Sequence, residues 1–303
     1  MKYSKYIVTG TAGFIGGFLS KNLKKTGAQV IDVDVVPRGQ TNFKHLYPDE
    51  LAHMISSSPL DFYNSILLHV GADSNANAKS LKELQTNNID LTEQIVTRCN
   101  QIGIPVLFIS SAAIYGNSKN GKIPFEKLSP YAESKFIGEQ IVTRSGQDYG
   151  VGNLIFRLFN CYGEDEVNKG AMMSIPSRFV NDAINQKKIE IWDVCRSSKV
   201  QARDFIYVGD LAKLISNTIS EMPFENQVRD AGSGTTLNFM EIAEVISNSL
   251  ECQISKVPVP EHVNLDNYQL ETKSNMDWLV DIKAKVDFSS FEKNIMSLIQ
   301  RMT

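Results

Sequence analysis

Short apolar runs alternate with longer amphipathic ones through the first half of the chain: "YIVTG", then "FIGGFLSKNLKKTG", then "QVIDVDVV", later "NSILLHVG", a helical stretch over residues 81–103, and "PVLFIS". Strand-length runs interrupted by helical segments in this rhythm predict βαβ units on a parallel sheet with helices on both faces. Gly27 and Gly103 sit where a helix should stop and a strand begin, as expected of the left-handed residue after a helix end. Within 81–103, Leu84, Leu91, Ile95 and Ile102 recur at helical spacing and supply a face for the sheet. Beyond Val167 the pattern loosens. The short candidate strands "KIEIWDV" and "DFIYV" are separated by helices near "IPSRFVNDAIN" and "GDLAKLISNTI", and a further helix "LNFMEIAEVISNSL" follows "AGSG". This predicts a sheet domain over residues 1–167, to which a segment near 203–235 returns, and a smaller C-terminal lobe formed mainly by 168–303. The segment 37–60 is the least readable, and no internal repeat or low-complexity tract is present.

Composition narrows the classes without changing this picture. With 303 residues, 42% hydrophobic and 21% charged, the chain can bury a sizeable core and is neither disordered nor fibrous. Its 31 Lys and Arg against 34 Asp and Glu give a formal net charge of -3, so there is no global basic field and no nucleic-acid partner is expected. Cys99, Cys161, Cys195 and Cys252 are scattered with no CxxC pair, which reads as reduced thiols rather than a disulfide framework or zinc site. His45, His53, His69 and His262 show no HExxH or paired-ligand spacing, so no metal is expected. "MKYSKYIVTG" enters a strand and glycine loop at once, leaving no room for a signal peptide, and no run reaches transmembrane length. The expectation is a soluble cytoplasmic protein with no membrane partner.

"TGTAGFIG" sets Gly10, Gly13 and Gly16 in a GxxGxxG array between a strand and a helix. The first glycine permits the tight turn, the second lets backbone approach a pyrophosphate, and the third lets the helix lie close to the strand. A second strand ends at Asp34, about the distance at which a carboxylate accepts the adenosine ribose hydroxyls. The fold expected is therefore α/β, a Rossmann-type doubly wound parallel sheet with a smaller C-terminal α/β substrate lobe. Asp34 favours NAD, since it would repel a 2′-phosphate, yet Arg38 or Lys44 could pair with that phosphate. NAD and NADP both stay open, one tightly bound molecule per subunit.

"FISSAAIYG" ends a strand where ligands bind in such sheets, bringing Ser110 and Ser111 there. Some way on, "SPYAESK" supplies Tyr131 and Lys135 four apart, on one face of a helix. An ammonium beside a phenol stabilises phenolate, so Lys135 is expected to lower the Tyr131 pKa and make it a usable base.

The glycine loop, Asp34, Ser111 and the Tyr131/Lys135 pair follow one another as in the short-chain dehydrogenase/reductase superfamily, which the chain resembles along nearly its whole length. "HVGADS", "SSAAIYG", "FRLFNCYG" and "RDFIYVGDLA" are similar to its extended branch, the nucleotide-sugar epimerases and dehydratases. The resemblance implies an N-terminal NAD(P) site at Gly10, Ala12, Gly13, Phe14, Ile15, Gly16, Asp34, Arg38, Gly71, Ala72, Tyr131 and Lys135. It also implies a nucleotide-diphosphate sugar held through Ser111, Asn160, Arg203 and Tyr268, with Arg203 on the diphosphate, and a homo-oligomer paired through residues 81–102 and 131–142. Sugar dehydratases carry an acidic pair after the catalytic hydroxyl. Here Ala112 and Ala113 follow Ser111, which leaves epimerisation or reduction of a keto sugar.

"FRLFNCYGEDEVNKGAMMS" resembles the matching segment of the ADP-glycero-manno-heptose 6-epimerases, in which a lysine before a glycine is a second acid/base group. On that match Lys169 joins Ser111, Tyr131 and Lys135 as a catalytic residue and contacts substrate. The chain departs from that pattern at Glu164, where a proline is usual, at Asn168, where a histidine is common, and at Val35, where an asparagine often follows the aspartate. The activity implied is ADP-glycero-manno-heptose 6-epimerisation. A nucleotide-sugar 4-epimerase or keto-sugar reductase using the same residues, and a non-catalytic nucleotide-binding protein, are the alternatives.

Overall fold

The computed structural model describes residues 2–37, 45–118, 123–194, 201–261, 269–282 and 286–303. Arg38, Lys44, Cys195, His262 and Tyr268 lie outside the described residues.

Six parallel strands form the central sheet: β1 (Lys5–Thr9), β2 (Gln29–Val33), β3 (Ser65–His69), β4 (Val106–Ser111), β5 (Leu154–Leu158) and, arriving much later in the chain, β9 (Gln227–Ala231). Their order is β2-β1-β3-β4-β5-β9. Side chains on a strand alternate between faces, and along the inner strands β1, β3 and β4 both faces are buried, which is why these read as apolar runs. Tyr6, Val8, Ile66, Leu68, Leu107, Leu154 and Phe156 share one core with Leu19 of α1 (Phe14–Lys25), Leu211, Leu214 and Ile215 of α7 (Val208–Glu221), and Trp278. The intervening Ile7, Leu67, Phe108 and Ile155 pack on the other face. There they meet Leu51 and Ile55 of α2 (Pro48–Ser57), Ile95, Val96 and Cys99 of α4 (Leu91–Gln101), and Val142 of α5 (Pro130–Tyr149). Each such buried aliphatic side chain contributes about 1.5–3 kcal/mol relative to exposure.

The helical stretch 81–103 is not one regular helix. A short α3 (Leu81–Leu84) passes through a π-helical turn over Gln85–Asp90 before α4 begins. The wide turn buries Asn88, whose carboxamide accepts from the Asp73 amide (2.7 Å) and donates to the Asp73 carbonyl and the Ser134 hydroxyl, both at 3.0 Å. A π turn is uncommon and tends to mark a functional site.

The later part of the chain builds a second core. β8 (Ala202–Tyr207) pairs antiparallel with β10 (Thr236–Asn238) and parallel with both β12 (Glu271–Thr272) and β6 (Asn160–Tyr162), while β7 (Lys188–Trp192) pairs parallel with β11 (Gln253–Val257). Phe205, Ile189 and Tyr162 from these strands bury Phe179 and Val180 of α6 (Ile175–Gln186), Phe239, Ile242 and Ile246 of α8 (Phe239–Leu250), and Ile295 and Leu298 of α9 (Phe291–Met302). Gly27 and Gly103 do take up left-handed backbone, at φ 81° and 79°. Among the described residues no helix is long and apolar enough to cross a membrane, and no cluster of three His, Cys, Asp or Glu side chains is arranged to hold a metal ion.

Candidate active site

The chain leaves β1 for β2 by way of α1 on one face and leaves the adjacent β3 for β4 by way of α4 on the other, which opens a crevice where these two strands finish. A cleft of about 420 Å³ occupies this place, lined by Gly10, Ala12, Gly13, Phe14, Ile15, Gly16, Asp34, Gly71, Ala72, His69, Asp73, Asn87 and Lys169. Backbone alone shapes its floor. Gly10 has φ +73°, and a Cβ there would lie 2.7 Å from the Gly71 Cα; at Gly16 a Cβ would lie 2.2 Å from the Gly10 carbonyl oxygen. α1 starts from Gly13 with no side-chain cap and no acidic residue in its first turn, so its end presents amide N–H groups to the cleft without a repelling carboxylate. The Thr11 hydroxyl in the same loop is buried with no hydrogen-bond partner. These features fit the diphosphate of a dinucleotide. The Asp34 carboxylate, at the end of β2, accepts from the amides of Ala12 (2.8 Å), Val35 (2.8 Å) and Val36 (3.1 Å).

A neutral hydrogen-bonded chain supports the β1–β3 side. The Thr9 hydroxyl oxygen accepts from the Val70 and Gly71 amides, at 3.0 and 2.9 Å, which uses both its lone pairs. Its proton must then go to His69 Nδ1 (2.9 Å), leaving Nε2–H to donate to Thr92 Oγ1 (2.9 Å), which donates to the Asn88 carbonyl (2.8 Å). His69 is fully buried, and its pKa falls to about 3, first by burial and then by the Lys135 charge. It is a neutral strut.

Ser111 ends β4 and Tyr131 opens α5, whose N-cap, Ser129, accepts from the Ala132 amide. The Ser111 oxygen accepts from the Ala113 amide (3.1 Å), and its hydroxyl bonds the Tyr131 phenol. Lys135, one turn on, is buried with its ammonium 4.5 Å from the Phe108 ring centroid. Burial lowers the Lys135 pKa to about 8 against the raising influence of Glu139. The expected lowering of the phenol by Lys135 is corrected here. Burial raises the Tyr131 pKa, the Ser111 bond lowers it, and Asp73 raises it, with Lys135 absent from these causes. Desolvation of a phenolate outweighs the bond from Ser111 that favours it.

Behind these groups Glu139 forms a two-pronged ion pair with Arg157, at 2.9 and 2.7 Å, and accepts from the Ser110 hydroxyl (2.7 Å). Arg157 stacks 4.9 Å from the Tyr115 ring, and the Tyr115 hydroxyl donates to Asp230 (2.6 Å). Burial, followed by that bond, pushes the Tyr115 pKa up to about 12.

Lys169 reaches the cleft from an irregular 3-10 segment, Val167–Met172, broken at Gly170 (φ 52°). Its ammonium lies 3.1 Å from Glu166 and 5.5 Å from the Phe14 ring centroid. Glu164, standing where a proline was expected, is buried and accepts from the Tyr207 hydroxyl (2.5 Å), and Ser297 and Arg301 of α9 approach it at 3.3 Å. Asp165, in left-handed backbone, pairs with Lys21 of α1 at 2.8 Å.

Residues 6–226 match the model of the NAD dependent epimerase/dehydratase family. The chain belongs to that family. It is similar to the ADP-L-glycero-D-manno-heptose-6-epimerase of Nitratidesulfovibrio vulgaris, at 25% identity over 98% of this chain and 97% of that protein. The protein of the same name from Brachyspira hyodysenteriae is 28% identical over 89% of each chain. Among solved structures, the UDP-N-acetylglucosamine 4-epimerase of Methanobrevibacter ruminantium shares the fold, with TM-score 0.81, 22% identity, and coverage of 100% of this chain and 99% of that one.

For an epimerase/dehydratase family member, the structure gathers the glycine loop, Asp34, Gly71, Ala72 and Lys169 around one cleft. Tyr131 and Ser111 are joined to each other, and Tyr131 feels the charge of Asp73, which lines the cleft. Asn160 and Arg203 are elsewhere, in the β6/β8 sheet. The Asn160 amide donates to the Asp204 carbonyl (2.8 Å) and Thr272 Oγ1 (3.4 Å), and Arg203 sits in register with Leu237 and Thr272. Sequence reasoning passed over His69, Asp73, Glu139 and Glu166. Glu139 follows Lys135 by four on one helix and Glu166 precedes Lys169 by three, a spacing that would have flagged both.

Proposed function

We propose that the chain is an NAD(P)-dependent nucleotide-sugar epimerase whose substrate is ADP-glycero-manno-heptose, inverted at the side-chain carbinol. One observation carries the reading: a proton-transfer side chain lines the dinucleotide cleft, and a second, on a separate element, feels the charge of a carboxylate that lines it. Lys169 lines it, and Tyr131 lies within electrostatic reach of Asp73, which lines it too. Inversion benefits from two such groups, because the hydroxyl proton leaves with the carbon in one configuration and, after the keto intermediate has rotated, returns with it in the other. The names of the relatives over nearly their full length support the heptose.

The dinucleotide, when bound, supplies the hydride acceptor and donor and, in its oxidised ring, a positive charge. Gly10, Gly13 and Gly16 would bring amides to its diphosphate, and Asp34 would accept from its ribose hydroxyls. Ser111 orients the reacting oxygen, Tyr131 holds or takes its proton on one side, and Lys169 does so on the other. Lys135, one helical turn beyond Tyr131, would offer a cationic donor to the nicotinamide ribose. Ala112 and Ala113 leave no carboxylate after Ser111 to drive loss of water. The sugar nucleotide is assigned to the lobe of residues 168–303, with 203–235 returning to the dinucleotide domain of 1–167, and with Asn160, Arg203 and Tyr268 toward the substrate.

A proton NMR time course of ADP-D-glycero-D-manno-heptose with the purified protein and no added nicotinamide tests this. Appearance of the L-glycero epimer is expected. An unchanged spectrum, with bound dinucleotide confirmed by absorbance after denaturation, would remove the heptose from the reading.

A further inference from the structure

Glu166 has no exposed side-chain surface, whereas the ammonium it binds is on a side chain 31% exposed. Four donors converge on its two oxygens. Oε1 takes the Ser174 amide (2.8 Å) and Lys169 Nζ (3.1 Å), and Oε2 takes the Ser174 hydroxyl (2.7 Å) and the Ser177 hydroxyl (2.5 Å). Ser174 is the N-cap of α6 and Ser177 lies in its first turn, so the carboxylate is fixed by the helix end. A buried anion needs a cation beside it. Among the described residues the cation paired with Glu166 is Lys169, whose ammonium also lies 5.5 Å from the ring centroid of Phe14 in α1.

The geometry points to Glu166 as the positioning residue that holds Lys169 at the edge of the dinucleotide cleft. This rests on the proposed acid/base role of Lys169. Glu166 touches neither cleft nor substrate and acts through the lysine alone. Without the pair, a lysine on a broken 3-10 segment would spread over several rotamers, and the proton would have no fixed starting point. Glu164 and Asp165, bound to α9 and α1, tie the backbone of the same segment from two further directions.

Two readouts test it. The first needs no substrate: a proton–nitrogen NMR spectrum of the lysine ammonium groups in the 15N-labelled protein, with Lys169 assigned by its loss in Lys169→Arg. A slowly exchanging Lys169 signal is expected, and its disappearance in Glu166→Gln. A Lys169 signal absent from the native protein, or unmoved by Glu166→Gln, overturns the proposal. The second is a double-mutant cycle on heptose epimerisation. Glu166→Gln should lower kcat about tenfold or more with KM little changed, and should cost nothing further in Lys169→Ala. An additive loss in that background would mean a merely structural role and overturn the proposal. If Glu166→Gln does not fold, Ser177→Ala, which removes one donor and leaves the ion pair, should give a smaller loss of the same kind. Full turnover by Lys169→Ala would defeat the acid/base reading itself, and Glu166 would then have nothing to position. Impaired Lys169→Ala with normal Glu166→Gln would defeat the positioning proposal alone.

Discussion

On the β1–β3 side of the cleft the buried polar groups are neutral and joined in series, from Thr9 through His69 and Thr92 to the Asn88 carbonyl. On the Lys169 side they are charged and converge on one carboxylate. The neutral series fixes distances between β1, β3 and α4 and holds no proton that chemistry would want, because a histidine with both nitrogens committed has neither to lend. The charged cluster sits on an irregular segment that packing alone does not hold, and its residue at the cleft carries a movable proton. Order near the glycine loop is therefore built from backbone and neutral bonds, while reactivity is built where a charge is both buried and paired.

This contrast can be broken or sharpened by experiment. The largest effect is expected at Tyr131. Tyr131→Phe should lower epimerisation by about 10²–10⁴-fold, the range of an acid/base group, while dinucleotide retention, measured by absorbance, stays near native. Next comes the charged pair behind it. Arg157→Leu leaves Glu139 buried and unpaired, and urea denaturation should show a loss of about 3–5 kcal/mol. Thr92→Val cuts the neutral series at one hydroxyl and should cost less, about 1–3 kcal/mol by the same measurement. A neutral link that proved as costly as the ion pair would undo the contrast.

Acid should act on the neutral side. His69 keeps its proton off down to about pH 3 in the folded chain, whereas unfolded it takes one near its ordinary 6.5. Between those values the unfolded state binds more protons, so stability is lost as pH falls from 6.5 toward 3, by up to about 1.4 kcal/mol per pH unit from this group. The stability difference between the native protein and His69→Gln, followed by denaturation from pH 7 to 4, should shift in favour of the variant. The smallest effect belongs to an exposed pair. Arg144→Ala removes its 2.7 Å contact with Glu93 at well-exposed positions, and should change stability by no more than about 1 kcal/mol.

What the sequence made legible were features that backbone geometry imposes on residue identity. Gly10 and Gly16 are legible because a Cβ cannot fit, and the strands because both faces of the sheet are buried. Tyr131 and Lys135 are legible as neighbours one turn apart on a helix, because helix spacing alone sets that much. The π turn was hidden because Leu84, Leu91, Ile95 and Ile102 keep a helical period across it. The sign of the Tyr131 shift was missed because a sequence displays charges but not desolvation. Glu166 was passed over because its burial depends on Ser174 and Ser177, whose closure over the carboxylate is a matter of folding and not of local pattern. Glu164 was visible only as an oddity. Its reason lies in Tyr207 and in α9, far along the chain.

The sheet has one more property, which concerns the making of the protein. β5 pairs on one side with β4 and on the other with β9, so that Leu154 waits for Gln227 and Leu158 for Ala231. A chain emerging from the ribosome therefore completes five strands with an apolar edge open while the whole of α6, β7, β8 and α7 is still being synthesised. Closing that gap requires a long loop to be shut before any contact rewards it. An open edge of this composition invites strand pairing between nascent chains. Overexpression at high temperature should accordingly lose protein to aggregation at this stage, and truncation just before β9 should yield insoluble material even though every residue of the glycine loop and of the Ser111/Tyr131 pair is already present.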